Sequence, residues 1–345
     1  MALGEFELID RYFRRPARRS PLGIGDDCAL LAPTPGMQLA VSSDLLVEGR
    51  HFLSTVRPER LGHKALAVNL SDLAACGAQP LAYTLALSMP RVDEAFLAGF
   101  ATGLHALADA HGIELVGGDT TAGPLTICIT VFGEVPPGAA LLRDGARPGD
   151  DLWVSHPLAS NGVGGGIGDA RLALEAFRGT LSLHGEAFEA VRVAMEQPQP
   201  RVALGLALRG VASAAIDLSD GLLGDLRHIL RRSGAARTRR DGGTAGQGSD
   251  ALGATLHTAA LPRSAVLAAQ TADWQHTCLL TGGDDYELLF TAPPSARGLV
   301  ERAAAHSAVG ATRIGRIETE PGLRLLDAAG QPLAFAGQAF DHFLT

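Results

Sequence analysis

One kind of short motif recurs along this chain: one or two aspartates beside glycine, serine or threonine, placed where a predicted strand or helix ends. Carboxylates beside small residues suit hard cations such as Mg²⁺, which take oxygen ligands. Several such cations would suit a substrate that carries several phosphates. A lone Asp-Gly pair is typical of ordinary turns, so only the recurrence of the motif indicates cation binding. The copies are GIGDDCALL (23–31), SSDLLVEGRHF (42–52), NLSDLAA (69–75), VGGDTT (116–121) and AIDLSDG (215–221).

Strands and helices are intermixed along the sequence, which predicts an α/β (α+β) fold. At 345 residues the chain is long for one domain, so two domains are expected. A Pro-Pro-Gly stretch at 136–138 indicates the boundary between them. We therefore expect an N-terminal domain at 1–137, a linker at 138–150 and a C-terminal domain at 151–345.

The hydrophobic pattern also predicts where each motif lies. Asp44, Gly118 and Asp119 are expected just after the ends of their strands. Residues 233–254 are rich in Gly, Ala and Ser without periodicity, so a mobile insertion is expected there. The predicted strands are 38–42, 81–88, 113–117, 125–132, 151–155, 214–218, 285–291, 312–318 and 323–327. The predicted helices are 5–13, 58–76, 92–111, 167–178, 186–196, 200–209, 221–232, 295–306 and one from Pro262.

Composition and charge narrow the class of partner. With 46% hydrophobic and 19% charged residues, the chain has enough apolar material for a core. A net charge of −8 argues against nucleic acid as a partner. No apolar run approaches the roughly 20 residues of a membrane span, so no membrane partner is expected.

Cysteine usage and the first residues predict a location. The four cysteines are far apart and form no CxxC pair, which is typical of reduced thiols in a cytosolic protein. The first residues carry scattered charges, unlike a secretory signal peptide. The expected location is therefore the cytoplasm.

The usual phosphate-binding loops are absent from the sequence. Lys64 is the single lysine, so no G-x-x-x-x-G-K-[ST] loop exists. The glycine run at 162–168 does not have the G-x-G-x-x-G spacing of a dinucleotide site. If the chain binds phosphates, it must do so with metals, arginines and backbone amides.

Asp72 has an unusual predicted environment. On the helix predicted at 58–76 it shares a face with Ala65, Val68 and Asn69. It also lies near the C-terminal end of that helix. Apolar surroundings and the negative end of the helix dipole both disfavour a carboxylate. A metal ion is favoured over a local salt bridge as the compensating positive charge.

As a set, the motifs resemble those of the thiamine-monophosphate kinases, a family of the aminoimidazole-ribonucleotide-synthetase (PurM-like) superfamily. The resemblance covers nearly the whole chain. The LSDLAA and GGDTT elements are similar to those of the wider superfamily, whereas the opening helix, VEGRHF, the DYEL segment and the C-terminal DHF are more particular to this kinase. The segments that carry it are GEFELIDRYF (4–13), GIGDDCALL, VEGRHF (47–52), KALAVNLSDLAACGAQP (64–80), VGGDTT, IDLSDGL (216–222), TGGDDYELLF (281–290) and AFDHF (339–343).

The resemblance implies a reaction and an assembly. Members of this family transfer the γ-phosphate of ATP to thiamine monophosphate, giving thiamine diphosphate, with several Mg²⁺ ions at the phosphates. The acceptor is already an anionic oxygen, so positioning and charge neutralisation suffice without a general base. The N-terminal sheet of such a PurM-like fold is expected to pair in a homodimer.

The resemblance also implies site residues. Gly118, Asp119, Arg143 and Ser219 are expected at ATP, with Arg143 as a bidentate phosphate clamp. Expected metal ligands are Asp27, Ser42, Ser43, Asp44, Asp72, Asp119, Asp217 and Asp220. Two of these have local alternatives: a plain turn at Asp27 and a helix N-cap at Asp220.

For the thiamine-phosphate substrate the resemblance implies His51, Asp284 and Phe340. Phe340 would stack on the thiamine rings, with core packing as its alternative. Asp284 stands where the family often has glutamate, so the reach of this contact is a point of departure. The glycine-rich loop at 161–168 also departs from the family pattern and receives no assigned role.

Two other readings stay open at this point. One is another ATP-dependent synthetase of the same superfamily, acting on a purine-pathway substrate or on selenium. The other is a non-catalytic acidic cation-binding protein, for which nucleotide binding in the presence of Mg²⁺ would be undetectable.

Overall fold

The structure is a computed structural model that describes residues 4–158, 165–240 and 252–337. A π-helical turn, Ile9–Phe13, follows the first helix. The helices are α1 (Glu5–Leu8), α2 (Pro58–Ala75), α3 (Glu94–His111), α4 (Asp169–Phe177), α5 (Gly185–Glu196), α6 (Val202–Ala207), α7 (Leu222–Arg240), α8 (Ala265–Ala268), α9 (Ala272–Thr281) and α10 (Arg297–His306). The strands are β1 (Gln38–Val47), β2 (Gln79–Met89), β3 (Glu114–Ala122), β4 (Thr126–Val135), β5 (Asp151–His156), β6 (Ala214–Asp217), β7 (Gly253–His257), β8 (Leu288–Ala292), β9 (Gly310–Glu318) and β10 (Gly322–Leu326).

The chain divides into two compact units. The first comprises Met1–Leu73, Ala78–Ala140 and Glu196–Val202. The second comprises Ala74–Gly77, Leu141–Met195 and Ala203–Thr345. Each unit contains one mixed sheet, which confirms the expected α/β class.

The sheet of the first unit has the strand order β1-β4-β2-β3. β2 and β3 are parallel and are connected through α3, whereas β4 is antiparallel to both β1 and β2. The register aligns Asp44 with Ile129, Leu85 and Gly118 in one row across the four strands. Residues in one row point to the same face of a sheet, and the next row points to the other.

Glycines allow α2 and α3 to approach closely. A Cβ on Gly62 would lie 2.0 Å from the carbonyl oxygen of Phe100, and one on Gly103 would lie 1.8 Å from that of Glu59. Neither helix could keep this contact with a larger side chain at those positions. The close contact fixes α2, which carries Asp72, against its neighbour.

The sheet of the second unit has the strand order β10-β7-β9-β5-β8-β6. β10 and β7 are parallel, and the other neighbours are antiparallel. All residues of β6 and β8 are buried, which explains their apolar composition. In the part of the chain that the structure describes, no helix is long and apolar enough to cross a membrane.

Several predicted boundaries were wrong. β1 continues to Val47 and β3 to Ala122, so Asp44, Gly118 and Asp119 lie inside strands and not after them. Both strands contain Gly, Ser or Asp, which are poor strand formers in isolation. Pairing with neighbours on the sheet outweighs that preference.

The insertion predicted at 233–254 is also corrected. α7 continues to Arg240, β7 begins at Gly253, and residues 241–251 lie outside the described ranges. Ser233 and Ala236 are buried, so this part of α7 belongs to the core. The small residues that suggested a linker include alanines, which are strong helix formers. Helix α9 was missed as well, and no helix begins at Pro262.

Candidate active site

In the first unit, α2 and β1 bring three predicted ligands together. The hydroxyl of Ser42 donates to Oδ2 of Asp72 at 2.5 Å. The backbone N–H of Asp44 donates to Oδ1 of Asn69 at 3.0 Å. Ser42 and Asp44 are two residues apart on a strand, so both point toward the helix. The side chains of Ser42, Asp44 and Asp72 thus lie at one edge of the sheet.

The position of Asp72 on α2 matches the sequence prediction. It lies in the last turn of α2, which ends at Ala75, and neighbouring Ser71 and Leu73 are buried. The helix dipole places partial negative charge at this end. The Ser42 hydroxyl is a neutral donor, and a cation as the compensating charge at Asp72 stays a prediction.

Ser43 and Asp119 point away from this cluster. The hydroxyl of Ser43 contacts the hydroxyl of Thr130 at 2.9 Å and the carbonyl oxygen of Ile129 at 3.2 Å. Asp119 is exposed and aligns with Ala86 in the row next to that of Asp44. Asp119 therefore lies on the face of the sheet opposite to that of Asp44. The strands that carry them, β3 and β1, are the two edges of the sheet and lie roughly 14 Å apart, which is three strand spacings. One chain does not bring Asp119 beside Asp44.

Gly118 has a structural reason to be glycine. Its φ is +152°, and a Cβ there would lie 1.8 Å from the carbonyl oxygen of Leu85 on β2. The close contact is therefore with the neighbouring strand. The expected approach of ATP to this backbone stays a prediction.

Asp27 and His51 lie on the segments before and after β1. Asp27 is exposed, and its backbone N–H donates to Oδ1 of Asp26 at 2.9 Å, the turn geometry that was its alternative reading. Nδ1 of His51 accepts from the backbone N–H of Val47 at 3.0 Å. The neutral ring must then carry its proton on Nε2, which orients His51 as a donor from that atom.

In the second unit, the end of β6 meets the loop that follows α9. The backbone N–H of Asp284 donates to the carbonyl oxygen of Ser219 at 2.9 Å, and that of Tyr286 donates to Leu218 at 2.8 Å. Asp284 and Tyr286 have positive φ values of 72° and 53°, an uncommon conformation that concentrates at functional sites. A Cβ on Gly283 would lie 2.3 Å from the carbonyl oxygen of Ser219. Ser219 and Asp284 are thus held side by side.

The sequence did not predict a role for Asp225, a third carboxylate beside Asp217 and Asp220 at the end of β6. Oδ2 of Asp225, in the first turn of α7, accepts from the backbone N–H groups of Asp220 at 3.2 Å and Gly221 at 3.1 Å. Burial, and then the charges of Asp217 and Asp220, raise the pKa of Asp225 to about 8. The signal that could have found it is an acidic residue early in a predicted helix.

The donors of this site fit a hard cation. Asp217 and Asp225 are buried and Asp220 is half-buried, so three carboxyl groups lie close together and their ionised forms repel one another. A cation would relieve this repulsion, and all the donors are the oxygens that Mg²⁺ prefers. Within the described ranges, however, no group of three or more His, Cys, Asp or Glu side chains is arranged to hold a metal ion. The ligand sets therefore stay predictions.

Arg143 lies near the same end of β6. Burial, and then Arg143, lower the pKa of His228 on α7, while Asp220 raises it, so both charged groups are near that ring. Arg143 itself is exposed. The hydroxyl of the buried Ser233 donates to the carbonyl oxygen of Arg143 at 3.1 Å and accepts from the N–H of Ala146 at 3.1 Å. Ser233, which the sequence assigned to a mobile insertion, thus holds the segment that carries Arg143.

Of two other predicted features, one lies wholly and one partly outside the described residues. Phe340, in the AFDHF segment, falls beyond residue 337. The glycine-rich loop at 161–168 is described from residue 165 onward. At its end, the N–H of Gly168 donates to Oδ1 of Asp285 at 2.8 Å, which connects this loop to the one that carries Asp284.

Comparison with known proteins agrees with these features. Residues 25–135 match the family model for the AIR synthase related protein, N-terminal domain. The chain is 42% identical to the thiamine-monophosphate kinase of Salmonella typhimurium over 352 aligned positions, which cover 100% of both chains.

Solved structures give the same result. The thiamine-monophosphate kinase of Stenotrophomonas maltophilia superposes with a TM-score of 0.79 at 42% identity, covering 94% of this chain and 97% of that one. AaThiL complexed with AMPPCP and TMP superposes with a TM-score of 0.72 at 26% identity, covering 90% of this chain and 89% of that one. With this identity over its full length, the chain belongs to the thiamine-monophosphate kinase family.

Proposed function

We propose that this chain transfers the γ-phosphate of ATP directly to thiamine monophosphate. In the reaction, the bond between the γ-phosphorus and the β,γ-bridging oxygen breaks, and a new bond forms to a phosphate oxygen of the acceptor. The products are ADP and thiamine diphosphate. The observation that carries the proposal is full-length identity of 42% with a thiamine-monophosphate kinase. The relative bound to AMPPCP and TMP supports the choice of both substrates.

We propose that several Mg²⁺ ions are required. When bound, they would supply positive charge that neutralises the phosphate oxygens. The contact between Ser42 and Asp72 supports this, because it gathers oxygen donors where a carboxylate is disfavoured. The crowding of Asp217, Asp220 and Asp225 supports it as well. The residues that would hold the ions are Asp27, Ser42, Ser43, Asp44, Asp72, Asp119, Asp217 and Asp220.

The remaining work of the protein is to position two anionic phosphates for in-line attack. Arg143 would bind ATP phosphate through its planar guanidinium, with Gly118, Asp119 and Ser219 also at the nucleotide. His51 would donate from Nε2 to the acceptor. Asp284, beside Ser219, would contact thiamine monophosphate together with Phe340. Since the attacking oxygen is already ionised, no side chain has to remove a proton from it.

The direct test is product formation. Purified protein with ATP, Mg²⁺ and thiamine monophosphate should yield thiamine diphosphate, detected as its fluorescent thiochrome derivative. Thiamine in place of the monophosphate, and EDTA in place of Mg²⁺, are the controls and should give no product. ATP binding without thiamine diphosphate would contradict the proposal and favour a purine-pathway substrate. No nucleotide binding at all would favour a cation-binding protein.

Ser233→Ala tests the placement of Arg143. The substitution removes both hydrogen bonds of the buried hydroxyl, so the Arg143 segment loses its attachment to α7. We expect the KM for ATP to rise about 5-fold, consistent with roughly 1 kcal/mol for a lost hydrogen bond. The KM for thiamine monophosphate should change less than 2-fold, as should kcat. Steady-state kinetics with each substrate varied would check this, and equal changes in both KM values would contradict it.

We also propose that two copies pair through the outer face of the first unit's sheet. On the edge strand β1, Leu39, Val41 and Leu45 are 46%, 59% and 52% exposed. An exposed apolar edge strand is an aggregation hazard unless something covers it. The same face of a second copy would cover these side chains with equally apolar ones.

Val41→Asp should therefore convert a homodimer into a monomer. A charge at the centre of the exposed face would be desolvated in the dimer without a partner. Sedimentation velocity of the wild type and the variant at equal concentration gives the answer. Leu299→Asp on α10, where the leucine is 45% exposed, is the matched control and should leave the mass unchanged. A monomeric wild type, or a dimer that survives Val41→Asp, would disprove this interface.

We place the protein in the cytoplasm, again as a proposal. All four of its cysteines are free thiols. Such usage is typical of a reducing compartment, which is what the spacing of the cysteines predicted.

A further inference from the structure

A cavity in the second unit has no part in the proposed reaction. It is open to solvent on one side and has a volume of about 540 Å³, within the usual range of roughly 300–1,000 Å³ for small-molecule sites. The cavity lies against strands β5, β7 and β9 and the start of α10. Its ionisable lining consists of Asp151, His257, Arg297, Arg313 and Arg316.

An irregularity in β9 directs two of these arginines to one face of the sheet. Against β5, Arg316 pairs with Asp151 and Arg313 pairs with Trp153, so Ile314 is an extra residue. Residues three apart on a regular strand point to opposite faces, and this bulge brings Arg313 and Arg316 to the same one. Bulges that redirect side chains in this way are found next to binding and active sites.

Gly315, beside the bulge, is required by the packing. A Cβ there would lie 2.1 Å from the carbonyl oxygen of Thr255 on β7. Thr255 pairs with Arg316, and His257 lies two residues further along β7 on the same face. The backbones of β7 and β9 therefore bring His257, Arg313 and Arg316 to one cavity.

The cavity has an excess of positive charge. Asp151 accepts from Arg297 at 2.6 and 2.9 Å and from Arg313 at 3.3 Å. Arg297, and also Arg313, hold the pKa of Asp151 below its usual range despite burial. One carboxylate thus balances two arginines, and within the described residues neither the side chain of Arg316 nor that of His257 has a hydrogen-bond or ion-pair partner. The chain as a whole carries a net charge of −8, so the positive charge of this cavity is opposite in sign to that of the whole chain.

The cavity is also far from the predicted active-site residues of the same unit. Asp217 pairs with Leu288 at one end of β8, whereas Asp151 pairs with Ala292 at the other end. Four residues along a strand span roughly 13 Å. A ligand in the cavity would therefore not touch Asp217, whose negative charge would repel an anion.

We propose that this cavity binds a small polyanion, with phosphate or carboxylate groups held by Arg316 and Arg313. The planar guanidinium groups match either kind of anion in a bidentate manner. Asp151, which also accepts from Arg297, holds Arg313 in place, and His257 lines the same face as Arg316. The cavity volume accommodates an organic molecule and not only an inorganic ion. This site goes beyond the proposed kinase reaction and does not depend on it.

Calorimetric titration of the full chain with pyrophosphate in EDTA tests the proposal. Without Mg²⁺ the predicted active-site aspartates repel anions, so binding there is suppressed. We expect one saturable site, weakened at least 10-fold by Arg316→Gln. Arg316→Lys keeps the positive charge but lacks the two parallel N–H donors of the guanidinium. Its affinity for pyrophosphate should lie between those of the wild type and Arg316→Gln. Arg324→Gln is the matched control, since Arg324 is an exposed arginine of β10 that contacts only backbone carbonyls.

A parallel titration with citrate distinguishes the source of the anionic groups. Binding of pyrophosphate alone assigns a phosphorylated ligand, binding of citrate alone assigns a polycarboxylate, and binding of both assigns a general polyanion site. The absence of saturable binding, or equal weakening by Arg316→Gln and Arg324→Gln, would overturn the proposal. Thiamine diphosphate formation by Arg316→Gln should equal that of the wild type without added polyanion, which separates this result from the test of the kinase reaction.

Discussion

Asp72→Asn is expected to lower kcat for phosphate transfer by about 10²–10³-fold or more, the usual cost of removing one group that stabilises developing charge. The amide keeps the shape of the side chain and can still accept from the hydroxyl of Ser42. It lacks the negative charge that a cation requires. The variant should fold as well as the wild type, because the amide keeps the shape of the side chain and removes a negative charge from the C-terminal end of α2.

Single-turnover measurement of thiamine diphosphate formation, with circular dichroism as a check of folding, would test this effect. Asp109→Asn is the matched control, because Asp109 is a carboxylate on α3 of the same unit whose side chain contacts Arg15 at 3.0 Å near the surface. It should lose little activity. Unchanged turnover in folded Asp72→Asn would remove Asp72 from the proposed metal ligands.

Gly118→Ala is expected to destabilise the first unit by about 3 kcal/mol. Two penalties combine. The first is the uncommon φ of +152°, which costs roughly 1–3 kcal/mol for a residue with a Cβ. Overpacking adds roughly 1–3 kcal/mol, since the new Cβ would lie 1.8 Å from the carbonyl oxygen of Leu85. β3 would have to move away from β2, and Asp119 would move with it.

The midpoint of urea unfolding measures this loss. Gly117→Ala is a close control: a Cβ at Gly117 would have Thr84 Cγ2 as its nearest neighbour, at 4.0 Å. We expect that control to shift stability by less than about 1 kcal/mol. If Gly118→Ala were as stable as Gly117→Ala but bound ATP weakly, the glycine would be required for ATP and not for the sheet.

The regular elements of this fold were largely predictable from sequence. The helix predicted at 58–76 is α2, and that predicted at 92–111 is α3, closed by Gly112 in the left-handed conformation. In both, apolar periodicity and end signals agree, and such local agreement is the strongest signal a sequence carries. The place of Asp72 in the last turn of α2 follows the same logic, whereas its contact with Ser42 on β1 could not be read from helical spacing.

Other parts of the site depended on contacts between residues far apart in sequence. In the sequence, Ser233 belongs to a run of small residues that predicts a linker. In the structure, its hydroxyl donates to the carbonyl oxygen of Arg143, 90 residues away. The sequence around Asp225 predicts an ordinary helix residue, whereas in the structure burial, and then the neighbouring Asp217 and Asp220, raise its pKa. Local pattern carries no information on such partners.

The sequence by itself determined the family, the α/β class and the recurring aspartates that indicate a phosphate-transfer chemistry. Each of these is written in local motifs. Only the tertiary structure decided which aspartates meet: β1 and β3 are opposite edges of one sheet, so Asp44 and Asp119 lie apart although their motifs look alike. It also decided that Arg313 and Arg316 share a cavity. Strand order and a bulge are set by pairing between distant segments, and periodicity within one segment cannot specify them.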